Sequence, residues 1–171
     1  MTDLVQSFVD FMNGTPSLPL GLVLFVATAP LVAFLHECGH ALAASYRVGE
    51  AWIKIKIVPD PRRPQGLCVY DASRATRADT VIIALAGPVA SALGAFLAWA
   101  LYSNAAATGL WHDVCSILLL SNVGAVVLNL LPLRLTDGRK EGAAVLLLDG
   151  RVVLDALRGS PSEPASPRDW A

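Results

Sequence analysis

Five residues, His36-Glu37-Cys38-Gly39-His40, bring together groups able to hold a metal ion and move a proton. On a helix, positions i and i+4 share a face, so His36 and His40 point at one spot, as two ligands of a tetrahedral zinc must. Glu37, one residue past the first imidazole, falls beside such an ion rather than on it. There its carboxylate can take a proton from an attacking water. The pattern alone is short enough to arise by chance. Its setting is informative, because it closes the apolar run Leu18 to Leu35, and ionisable groups in a membrane-length apolar segment are costly unless they serve a site. The plain alternative is a pair of helix histidines satisfied by neighbours, with Glu37 at a protein contact. Three ionisable groups in five residues need more partners than an apolar helix supplies.

Two histidines need a third protein ligand. The chain has 3 histidines, which leaves His112 in the polar loop after the second apolar run. Asp137 is the stronger candidate. In the stretch Asn129 to Gly138, Pro132 breaks an apolar helix, and Asp137-Gly138 follows in backbone released from regular hydrogen bonding. HExxH in one apolar segment, Ala86-Gly87-Pro88 in the next, and Asn129-x-x-Pro132-x-x-x-x-Asp137-Gly138 together resemble the site-2 protease family of intramembrane zinc metalloproteases. The resemblance covers Pro30 to Leu148. It implies one Zn2+ ion held by His36, His40 and Asp137, with Glu37 as general base. It implies that Asn129 lies close by, holding the substrate backbone or the oxyanion. The implied substrate is a membrane-anchored protein or peptide cut within or near its transmembrane segment, in regulated intramembrane proteolysis. The chain departs from larger members in having three spans and no room for a PDZ-type domain. It also carries Arg134, Thr136 and Arg139 where such members are often apolar or glycine-rich. Asp149, in a second Asp-Gly pair, lacks the upstream Asn-x-x-Pro and is expected to stand apart from both metal and activity.

Composition supports a membrane protein. Of 171 residues, 54% are hydrophobic and 16% charged, too apolar for a soluble domain of this size. The net charge of −1 gives no signal for nucleic acid. Cys38, Cys68 and Cys115 do not form a disulfide framework, and Cys38 reads as a small buried filler.

The expected architecture is an α-helical membrane protein of about three spans, near residues 18–46, 80–102 and 114–131, with a small β-hairpin between the first two. Residues 1–17 read as an amphipathic lead, not a signal peptide, since Asp3 and Asp10 stand where a basic segment belongs. Pro30 is expected to kink the first span. Trp52 to Val58 alternates apolar and charged residues, Pro59 to Gly66 is turn chemistry, and Leu67 to Tyr70 can return, giving a surface hairpin over 51–70. Gly87, Ser91, Ala90 and Gly94 give small-xxx-small spacings for close helix packing. The protease core is expected over 18–148. Arg139 to Leu157 reads as an amphipathic helix interrupted at Asp149-Gly150, ending in a disordered tail within 149–171.

All thirteen Lys and Arg lie either between spans one and two or after span three. The positive-inside rule makes that side the cytoplasm, with the N-terminus outside and the C-terminus inside; the membrane expected is the plasma membrane. His112 then falls at the opposite face, about 30 Å away, which argues against it as a ligand. The expected partners are the lipid bilayer and a membrane-anchored substrate; the oligomeric state is not read from the sequence. A catalytically silent membrane metal-binding or scaffolding protein is the rival reading, weakened by Glu37, which no structural zinc site requires. A membrane di-iron oxygenase needs many more than 3 histidines.

Overall fold

The computed structural model of the chain describes residues 16–55, 66–105, 109–136, 145–147 and 149–159. Three long helices dominate: α1 (Leu18–Arg47), α2 (Arg77–Ser103) and α3 (Leu110–Leu130), each long and apolar enough to cross a membrane. Their outer surfaces carry Leu22, Val23, Phe25, Leu42, Leu93, Phe96, Val127 and Leu128. Alongside small and apolar residues such as Ala44 and Ile83, they bury His36, Glu37, His40, Ser91, Ser116 and Asn122. That inversion of the usual soluble pattern is the arrangement a lipid solvent selects, since apolar side chains lose nothing by facing it and polar ones must find partners inside.

Strands β1 (Ala51–Ile55) and β2 (Gly66–Tyr70) lie between α1 and α2 and pair antiparallel, with Ile53 opposite Cys68. The expected hairpin is therefore present; its connecting residues 56–65 lie outside the described ones. It docks where α1 ends and α2 begins, around a small apolar cluster of Ala44, Val48 and Ile83 with Ala51 and Tyr70 packed on it. The start of α2 is fixed chemically. Thr76 and Asp79 form a reciprocal capping box, and Arg47 at the end of α1 donates to Asp79 at 2.6 Å. One carboxylate thus ties the ends of two spans to each other.

α1 runs through Pro30, and α2 through Pro88, as single helices. Close packing rests on glycine at particular crossings. A Cβ on Gly39 would strike the Ala86 carbonyl and come within 2.8 Å of the Ala90 Cβ; one on Gly94 would come within 2.6 Å of Asn122 Oδ1. The small residues of α2 thus serve both neighbours, α1 and α3.

After α3, Pro132 ends the helical run and β3 (Arg134–Thr136) pairs antiparallel with β4 (Val145–Leu147), Arg134 opposite Leu147. Helix α4 (Asp149–Arg158) follows directly. This corrects the expectation of one amphipathic helix from Arg139: residues 145–147 are a strand. Short β-prone runs on either side of a polar turn segment pair with each other rather than continue helically. Residues 1–15 of the lead expected over 1–17, and the tail beyond 159, lie outside the described residues.

Candidate metal centre

The hairpin β3–β4 decides the geometry of the site, because antiparallel pairing returns the chain to where it left α3. A Cβ on Gly150 would run into the Leu130 backbone carbonyl, so the first turn of α4 sits directly on the last turn of α3. That contact requires glycine after Asp149. It delivers Asp149 to the same end of the bundle as the last turns of α1 and the first turns of α2.

There Asp149 meets both motif histidines. Its Oδ2 lies 3.1 Å from His36 Nε2 and its Oδ1 3.3 Å from His40 Nε2, while the two Nε2 atoms are 3.1 Å apart. Burial opposes the charge on Asp149, but the contacts with His36 and His40 outweigh it and hold its carboxyl below the usual range. The first turn of α4 adds its positive dipole end.

The opposite edges of the imidazoles are held by α2. His40 Nδ1 lies 2.7 Å from the Ile83 carbonyl oxygen, and His36 Nδ1 lies 2.9 Å from Ser91 Oγ. A carbonyl only accepts, so His40 carries a proton on Nδ1, which leaves Nε2 as the nitrogen available on the side of His36 and Asp149. Gly87 lies between these two contacts on α2. A Cβ there would press on His40 Nε2 and come within 2.8 Å of His36 Nε2. The glycine of Ala-Gly-Pro therefore keeps the space beside the two Nε2 atoms open.

Glu37 is buried alongside, its side chain covered by the start of β2. A Cβ on Gly66 would fall 2.9 Å from Glu37 Oε1, and the Cys68 backbone N–H donates to the carboxylate. The Cys68 thiol itself, pushed up to about 12 by burial and then by Glu37, is neutral at physiological pH and offers no nucleophile. All three cysteines are free.

The donor set fits a tetrahedral cation. Ligands at about 2.0 Å from a tetrahedral zinc are separated by about 3.3 Å, close to the 3.1 Å between the two Nε2 atoms, and the Asp149 carboxylate reaches one histidine with each oxygen, at 3.1 and 3.3 Å. His36, His40 and Asp149 are the group of potential ligands that converges among the described residues. At a rise of 1.5 Å per residue, His36 and His40 lie about 16 Å and about 10 Å inside the end of α1, within the thickness of a bilayer core.

Of the site residues expected from sequence, His36, Glu37 and His40 come together. Asp137 lies outside the described residues. Asn129 is half-buried and donates its amide to the Ala125 carbonyl of its own helix at 2.9 Å. His112 sits in the first turn of α3, stacked near Tyr102 at the other end of the bundle. Asp149, expected to stand apart, lies instead beside both motif histidines. A helix running on from Arg139 would carry Asp149 away from the motif, whereas the pairing of Arg134–Thr136 with Val145–Leu147 folds the chain back. The signal that could have found Asp149 was the apolar triplet Val145-Leu146-Leu147 immediately before an Asp-Gly.

Comparison with known families fits this geometry. The Peptidase M50B-like family matches residues 20–135, well over half of the chain. The chain belongs to this family. The match takes in the HExxH motif, Ala-Gly-Pro and Asn129-x-x-Pro132, and supports membership among the site-2 proteases. It stops short of both Asp137 and Asp149. No curated protein and no solved structure matches the chain.

Proposed function

We propose that this member of the M50B-like family is a zinc-dependent intramembrane endopeptidase that cuts a membrane-anchored protein or peptide within or near its transmembrane segment. The observation that carries the reading is the face made by His36 Nε2, His40 Nε2 and the Asp149 carboxylate, with Glu37 beside it, inside membrane-length helices. A bound zinc would supply a Lewis acid for the scissile carbonyl and lower the pKa of water at its open position. Glu37 would accept the proton of the attacking water and deliver it to the leaving amine. β2, which starts on Glu37, offers an extended backbone edge against which an unwound substrate could lie. Asn129, one turn before Pro132, would contact that substrate rather than the metal.

Metal removal tests the activity. Treating the purified protein in detergent with a strong chelator should abolish hydrolysis of dye-labelled denatured casein, and one equivalent of Zn2+ should restore it. Hydrolysis that persists in metal-free protein would refute the reading.

The orientation proposed is N-terminus outside, with hairpin, α4 and active site toward the cytoplasm, because every Lys and Arg lies on that side. Single cysteines placed at Asp113 and at Arg62, in a background lacking the native three, should react with a membrane-impermeant maleimide from opposite faces. Reaction of both from one face would reject the topology.

A further inference from the structure

Ser91 is a fully buried hydroxyl set against a motif histidine. It lies in α2, one turn beyond Gly87, and its Oγ is 2.9 Å from His36 Nδ1. The site asks different things of the two histidines. His40 is turned by a backbone carbonyl, which no side-chain substitution removes. His36 is turned by a side chain. For its Nε2 to present a lone pair at the face shared with His40 and Asp149, its proton must sit on Nδ1, and Ser91 Oγ is the group placed to accept it. Without that acceptor, the free imidazole would favour a proton on Nε2, donated to Asp149 Oδ2 at 3.1 Å. That tautomer closes the site against a cation.

We infer that Ser91 is a positioning residue of the metal centre, fixing the tautomer and ring orientation of His36 by accepting a hydrogen bond from its Nδ1–H. The inference rests on His36 being a metal ligand. Ser91 touches neither metal nor substrate, and its contribution is to metal affinity. Outer partners of ligating histidines commonly set affinity by about 10–100-fold.

The test is zinc affinity of the purified full chain, measured by competition with a chromogenic chelator. Ser91→Ala should bind zinc about 10–100-fold more weakly than wild type. Ser116→Ala is the matched control. Ser116 is also a fully buried hydroxyl, but it donates to the His112 carbonyl at 2.9 Å within its own helix. Its loss should leave zinc affinity unchanged. Equal affinity of Ser91→Ala and wild type, or an equal fall in both variants, overturns the role of Ser91. Should Ser91→Ala fail to fold, nitrogen NMR of zinc-loaded wild type decides: His36 should show a protonated Nδ1 and a metal-bound Nε2, and metal at Nδ1 overturns the proposal. A wild-type chain that takes up no zinc overturns this inference together with the peptidase reading. A wild type that binds zinc while Ser91→Ala binds it equally well overturns the inference alone.

Discussion

Replacing Asp149 with alanine should empty the metal centre. The carboxylate straddles the two histidines, with one oxygen 3.1 Å from His36 Nε2 and the other 3.3 Å from His40 Nε2. Its removal leaves the two imidazole nitrogens facing each other at 3.1 Å, with no carboxylate to balance a dication. The loss should exceed the roughly 10–100-fold typical of an outer-sphere partner, since a ligand itself is removed. Zinc content by elemental analysis should fall from about one ion per chain to a small fraction, with hydrolysis falling alongside. Asp149→Asn keeps the shape and should fail nearly as badly, because it removes the charge. Asp137→Ala is the discriminating comparison. Both aspartates stand before glycine and both follow the family-matched region; the geometry favours Asp149. If Asp137→Ala loses zinc and Asp149→Ala keeps it, the ligand belongs to Asp137.

Glu37→Gln should give the opposite signature: full zinc occupancy with turnover reduced about 10²–10⁴-fold, the range for removing a general base. Glutamine preserves the side chain's volume beneath Gly66, so the hairpin should stay seated. The amide can still orient water, but it cannot accept a proton. The deficit should therefore appear in kcat with little change in KM. A variant that retains zinc and wild-type turnover would remove Glu37 from the mechanism and favour a silent metal-binding protein. Loss of zinc in Glu37→Gln would instead make the carboxylate part of the coordination, which its lateral position argues against.

The sequence by itself determined the parts of this protein that depend on local periodicity. His36 and His40 are four apart on one helix, so their convergence is a property of any helix that contains them. Apolar length determined the three spans, and the alternation around Trp52 determined the hairpin, because solvent preference and strand pleat act residue by residue. The third carboxylate could not be read in this way. Asp137 follows the Asn-x-x-Pro pattern, but whether the chain continues or turns back after Pro132 depends on Arg134–Thr136 finding Val145–Leu147, a pairing across a segment with no period of its own. That pairing, and the glycine at 150 that lets α4 rest on Leu130, brought in a residue the linear spacing had set aside. Ser91 and Gly87 likewise read as packing residues in a small-residue stripe. Only the register of α2 against α1 decided that one of them meets an imidazole nitrogen and the other leaves room beside it, because interhelical register is set by contacts that neither helix contains alone.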